Sequence, residues 1–127
     1  MEKEIEKLEK QGAKMMHAIF NFRRDIKQLL AKIKLKQSFS KKVFKKDLEL
    51  DERIIQLKDY YDESNSLINT ILSNLSSEDS WIIEKCFNDE NTIKDKEWYL
   101  EYFSKTTFYK RRKIAIRNFL DYYSAFL

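Results

Sequence analysis

Apolar residues in the first third of the chain recur at alternating spacings of three and four. Ile5, Gly12, Ile19, Ile26 and Ile33 occupy one heptad position, and Leu8, Met15, Phe22 and Leu29 the other. This pattern predicts a long helix over about residues 2–36 with an apolar seam along one side. Gly12 weakens that seam by roughly 1 kcal/mol relative to Ala without ending it. The stretch Gln37 to Lys46, with Ser38 and Ser40, interrupts the pattern and reads as a connector. A second heptad follows through Leu50, Ile54, Leu57, Tyr61, Ser64, Ile68, Ile71 and Leu75. Two such helices can fold back as an antiparallel hairpin or pair between chains, and the pattern allows both.

Beyond Leu75 the pattern shortens. Ser76 is placed to cap a helix whose first turn holds Glu78 and Asp79, running from Ser77 to about Phe87 and carrying Trp81, Ile82 and Cys86. Residues 88–92 form a polar break, and a helix with Trp98, Leu100 and Tyr102 is expected over about residues 93–102. Ser104 then caps a final helix from Lys105 to about Tyr123, with Phe108, Ala115, Ile116, Phe119 and Leu120 as its apolar residues. The expected fold is all-α. A heptad-bearing hairpin or coiled coil over 1–75 precedes a helix-turn-helix domain over 76–127.

Composition agrees with this reading. One Gly and no Pro among 127 residues leave too few turn residues for a sheet protein. Cys86 is the sole cysteine, so no intrachain disulfide can form, and a buried helical position suits it better than a reactive role. No apolar run approaches the roughly 18 residues that cross a bilayer, and the charged start Met1-Glu2-Lys3-Glu4 is unlike a signal peptide. A cytoplasmic, nucleoid-associated location with no membrane partner is expected. Enzymatic chemistry finds no footing. His17 stands alone in a heptad helix, no Cys/His cluster has zinc spacing, and one glycine cannot make a phosphate loop. We therefore expect no catalytic residues, metal, cofactor or small-molecule substrate.

The net charge of +4 is modest, but it is segregated. Seven lysines and no acid lie between Lys32 and Lys46; eight acids and three lysines lie between Ser77 and Tyr102. Six cations and no acid then fall between Ser104 and Arg117. Segregation of this kind draws polyanions to one surface. The Lys32–Lys46 cluster reads as a solvated linker, and the excess of 19 lysines over 6 arginines leaves codon bias as a source of some of the basicity.

On the final helix, Lys105, Thr106, Tyr109, Lys110 and Lys113 project from one side at helical spacing, opposite Phe108, Ala115, Ile116 and Phe119. Lys donates to guanine O6 or N7, and Thr meets a base or a thymine methyl. Arg111, Arg112 and Arg117 suit backbone phosphates. Trp81, Trp98, Phe103, Phe108 and Phe119 suit the core, whereas Tyr109 sits beside the basic face.

The segment from Leu75 to Tyr122 resembles region 4 of sigma-70-type factors, and more closely the ArpU/RinA-like phage transcriptional regulators. The likeness rests on Leu75-Ser76-x-x-Asp79 before an apolar helix and on the run from Phe103 to Ile116. That run has a hydroxyl cap, a basic residue, Ser/Thr, two aromatics and a basic stretch. The resemblance covers about the last 50 residues and none of the first 70. The resemblance implies a regulator that binds double-stranded DNA, with Lys105, Thr106, Tyr109 and Lys110 toward bases. Ser104, Arg111, Arg112, Lys113 and Arg117 would then face phosphates. Trp98-Tyr99-Leu100 stands where the family's bracing helix has a small residue, and Arg111 where sigma factors have an apolar one. The N-terminal helices would serve dimerisation or contact with a protein such as RNA polymerase. The alternative is a helical interaction module whose helix-turn-helix no longer reads DNA.

Overall fold

No strand occurs among the described residues: the chain forms α1 (Glu2–Phe44), α2 (Leu48–Asn74), α3 (Ser77–Ile83) and α4 (Lys105–Ala125). A π-helical turn, Glu84–Asn88, continues α3, and a single 3-10 turn, Trp98–Glu101, precedes α4. The computed structural model describes residues 2–44 and 48–126, without the side chains of 2, 5, 6, 8, 9, 41–44 and 48–50. The seam positions Ile5, Leu8 and Leu50 and the end of the Lys32–Lys46 cluster therefore lie outside the described side chains.

Packing divides the chain into two units, Met1–Phe20 with Asn69–Leu127, and Asn21–Ile68. The first unit thus takes one end of each long helix together with everything after Leu75, whereas the heptad pattern places a boundary at 75. The reason is visible in its core. Gly12 brings α1 against α4, where a β-carbon on it would lie 3.3 Å from Ile116 Cγ2 and 3.5 Å from Leu120 Cδ1. One turn on, Met16 and Phe20 are fully buried, and the Phe20 ring lies 5.8 Å from Phe119 and 6.2 Å from Phe87. His17 meets the Phe87 ring edge-on at 4.8 Å. Ile71, Ile82, Ile83, Ala115 and Ile116 complete this core.

The second unit is an antiparallel pair formed by parts of α1 and α2. Arg23 donates to Asn65 Oδ1 at 3.0 Å, and Gln37 donates to Asp51 fourteen residues away in sequence. Moving forward along α1 moves backward by the same number along α2, which is a hairpin register. Ile26, Leu30 and Ile33 are buried between these two polar anchors.

Three expectations change. The seam of α1 is not the pair of rows the heptad suggested, because Met15, Phe22 and Leu29 are exposed. The buried line is Gly12, Met16, Phe20, Ile26, Leu30 and Ile33, whose second row lies one residue later. Second, α1 does not stop at a connector near Gln37 but continues to Phe44. Gln37 and the buried Ser40 keep facing inward, and no Gly or Pro ends the helix. Third, the helix expected over 93–102 is absent. Asp95 accepts the Glu97 N–H at 2.9 Å, so a side chain takes the donor that a helix would give to the Ile93 carbonyl, and the Asp95 N–H closes a turn on Thr92 O at 3.0 Å. One 3-10 turn is all that forms there.

Candidate nucleic-acid interface

The start of α4 is built as its sequence requires. Ser104 has extended backbone, and its Oγ accepts the Thr107 N–H at 3.3 Å while lying 3.0 Å from Thr107 Oγ1. The α3 start repeats the device, with Ser76 Oγ accepting the Asp79 N–H at 3.1 Å. A side-chain oxygen placed this way satisfies one of the orphan donors of the first turn. The Ser104 hydroxyl is thus part of the cap rather than a group held out toward a ligand.

Three surfaces hold α4 in place. Its apolar face buries Phe108, Ala115, Ile116 and Phe119. One edge is bound to the first turn of α3: Arg111 Nη1 reaches Glu78 Oε2 at 3.1 Å, and Asn118 Nδ2 donates to the buried Asp79 carboxylate at 2.8 Å. At the N-terminal end, the 3-10 turn presents Tyr99, whose ring stacks on Phe108 with centroids 3.9 Å apart. Around this stack lie Trp98, which meets Phe108 at 5.4 Å, and Trp81, which meets Trp98 at 5.3 Å and Tyr102 at 4.9 Å. The bulk of Trp98-Tyr99 therefore fills the space beside the first turn of α4. The five aromatics read as core are half-buried or buried, as expected.

Among the exposed residues of α4, which include Thr107, Ile114, Asp121 and Tyr122, one line is mostly cationic. Thr106, Lys110, Lys113 and Arg117 follow each other at i, i+4, i+7 and i+11, and all are exposed, as is Lys105 at the helix start. Tyr109 is also exposed, but its ring lies edge-on to those of Phe108 at 5.2 Å and Tyr99 at 6.0 Å. It flanks the line rather than standing in it.

Two expected phosphate contacts are engaged elsewhere. The Arg112 guanidinium lies 5.4 Å from the centroid of the Phe87 ring and approaches the Cys86 sulfur. Arg111 is in the ion pair with Glu78. The spacing pattern missed Arg112 because it recorded charge and not depth: at i+4 from Phe108 and i−3 from Ala115, Arg112 belongs to the buried face. Asn118 and Asp79 also went unrecognised, although their positions facing inward on α4 and in the first turn of α3 could have suggested a pair.

Burial pushes the Cys86 thiol above its ordinary pKa, against the opposing charge of Arg112 and hydrogen bonds from Arg112 and Trp98. Asp89 is held below the carboxylate range, first by the Asn91 N–H and then by Lys85 at 3.1 Å. Neither belongs to the cationic line. Among the described residues, no group of His, Cys, Asp or Glu could hold a metal ion, and no helix is long and apolar enough to cross a membrane.

No protein-family model, curated protein or solved structure matches the chain.

Proposed function

We propose that the protein binds double-stranded DNA through α4 and acts as a transcriptional regulator of the sigma region 4 and ArpU/RinA kind. The observation that carries this reading is the exposed line Thr106, Lys110, Lys113, Arg117 on a helix of 21 residues, with Lys105 at its capped N-terminus. An α-helix of that form fits the major groove by its first turns, where Lys and Thr reach base edges and later cations meet phosphates. Here the support comes from α3, through Glu78 and Asp79, in place of a helix immediately before the turn. Sixteen residues separate the π-helical turn from α4, against the three or four of a compact helix-turn-helix.

Retardation of a random-sequence duplex pool at low salt, followed by selection of bound sequences, tests the proposal. Lys105→Ala and Lys110→Ala should weaken a selected site far more than random DNA. Lys113→Ala and Arg117→Ala should weaken both, each lowering the slope of log K against log salt by about 0.9. A wild-type protein that retards no duplex at low salt sinks the reading. A second reading, a helical interaction module, is favoured by Leu100 and Tyr102, which are 54% and 60% exposed. Stable co-purification with a protein partner, lost in Leu100→Asp while DNA binding is absent, would support it.

A further inference from the structure

Along α1, within the Asn21–Ile68 unit, a second heptad line runs beside the buried one. Starting from Phe22, steps of three and four lead to Asp25, Leu29, Lys32, Lys36 and Phe39, and every one of these is exposed. Phe22 is 57% exposed, Leu29 41% and Phe39 66%. Single exposed apolar residues need no explanation, but three on one coiled-coil phase, on a helix whose other seam is already covered, do.

The order of charges along this line says what covers it. In an antiparallel coiled coil the first heptad position of one helix faces the fourth of the other. If two copies of α1 cross so that Phe22 faces Phe39 of the second copy, Leu29 faces Lys32 and Lys36 faces Asp25. The two-fold axis repeats each pair. The aromatic ends then meet each other, the lysine stem lies along Leu29, and each acid meets a base. A parallel pairing would instead oppose Asp25 to Asp25 and Lys36 to Lys36, which like-charge repulsion disfavours. The line spans seventeen residue steps, about 26 Å of helix, and is self-complementary in one orientation.

We propose that the protein is a homodimer through this line, two copies of α1 packing antiparallel with Phe22 against Phe39 and Asp25 against Lys36. Dimerisation requires no DNA, so its failure and that of the DNA-binding reading are separate results.

Sedimentation velocity of the full chain in reducing buffer, over low to high micromolar concentration, tests this. The wild type should sediment at twice the monomer mass. Phe22→Asp and Phe39→Asp should give monomers with unchanged helical circular dichroism, since neither side chain is buried. Asp25→Lys should weaken the dimer by about tenfold or more, and Asp25→Lys combined with Lys36→Asp should restore it. A wild-type monomer throughout, a dimer indifferent to the Phe substitutions, or a double reversal no tighter than Asp25→Lys alone would each overturn the proposal.

Discussion

The ring of Tyr99 lies flat on that of Phe108, with 3.9 Å between centroids and 3° between planes. Both residues are almost fully buried, so this stack ties the 3-10 turn to the first full turn of α4. It does the work that a bracing helix would do by packing along its length. Truncating either ring removes the contact and leaves a void among Trp98, Phe103 and Tyr109. Tyr99→Ala and Phe108→Ala should each cost about 3–5 kcal/mol of unfolding free energy. Tyr99→Phe, which keeps the stacked ring and loses only the hydroxyl, should cost far less than either. Urea denaturation followed by circular dichroism measures all three, and an Ala substitution as mild as Tyr99→Phe would show that the stack does not hold α4.

Gly12 is a different kind of contact, one made by an absent side chain. A helix interior with Gly is about 1 kcal/mol less favourable than with Ala, yet here α1 and α4 approach so closely that an added β-carbon would sit 3.3 Å from Ile116 Cγ2. That methyl sits on the β-branched carbon of a buried side chain, so the few tenths of an ångström an Ala needs must come from a small shift of Ile116. Gly12→Ala should therefore fall within about 1 kcal/mol of the wild type, the propensity gain offsetting the squeeze. Gly12→Leu asks for more than a small shift and should destabilise by about 1–3 kcal/mol through overpacking. Chemical denaturation separates the two, and a stabilising Gly12→Leu would contradict the close approach.

How the sequence misled along α1 has a physical cause. Ile19, Ile26 and Ile33 form a regular row, and either the residue four before each or the one three before completes a heptad with it. The rows Met15, Phe22, Leu29 and Met16, Arg23, Leu30 differ in apolar character only where Phe22 stands against Arg23, so the pattern favours the first. In the fold, the seam instead accepts Arg23 and Gln37, because Asn65 and Asp51 on α2 supply hydrogen-bond partners for them. Pairing of that kind is decided across 42 residues of chain and leaves no local mark. The two N-caps, by contrast, were legible, since Ser76 and Ser104 act on donors three residues away. The exposed cationic line of α4 was legible for Lys110, Lys113 and Arg117. It was not legible for Arg112, whose depth depends on Phe87.

Arg111 and Arg112 are adjacent in sequence, but their substitutions should separate. The Arg111–Glu78 pair is open to solvent, with side chains 52% and 40% exposed, and such pairs contribute about 0–1 kcal/mol. Arg112 covers the buried Phe87 ring and neighbours the Cys86 sulfur, so Arg112→Ala loses both a cation–π contact and the packing of its stem. We expect Arg112→Ala to lower the urea midpoint clearly and Arg111→Ala to change it little. On DNA, Arg112→Ala should leave the salt slope at its wild-type value, while Lys113→Ala lowers it. An Arg112→Ala protein of normal stability but reduced salt slope would return Arg112 to the phosphate contacts.

Two acids held in their neutral form give the fold an alkaline limit. The Cys86 thiol is pushed above its ordinary pKa chiefly by burial, and the Tyr99 phenol is raised first by burial and then by Tyr109 and Glu97. In the unfolded chain they lose their protons near about 8.5 and about 10. The folded protein still holds them there, so it binds more protons than the unfolded state, and stability falls as pH rises. The contribution is complete below the unfolded values and is lost progressively as pH climbs toward the folded ones. Unfolding midpoints should thus be level between about pH 7 and 8 and decline above about 8.5. Cys86→Ser, which cannot ionise in this range, should flatten the first part of the decline, and Tyr99→Phe the part above about pH 10. At pH 7 the folded protein's thiol should react slowly with a disulfide reagent and speed up on adding urea. If Cys86→Ser left the decline from pH 8.5 unchanged, a group other than this thiol would set the alkaline limit.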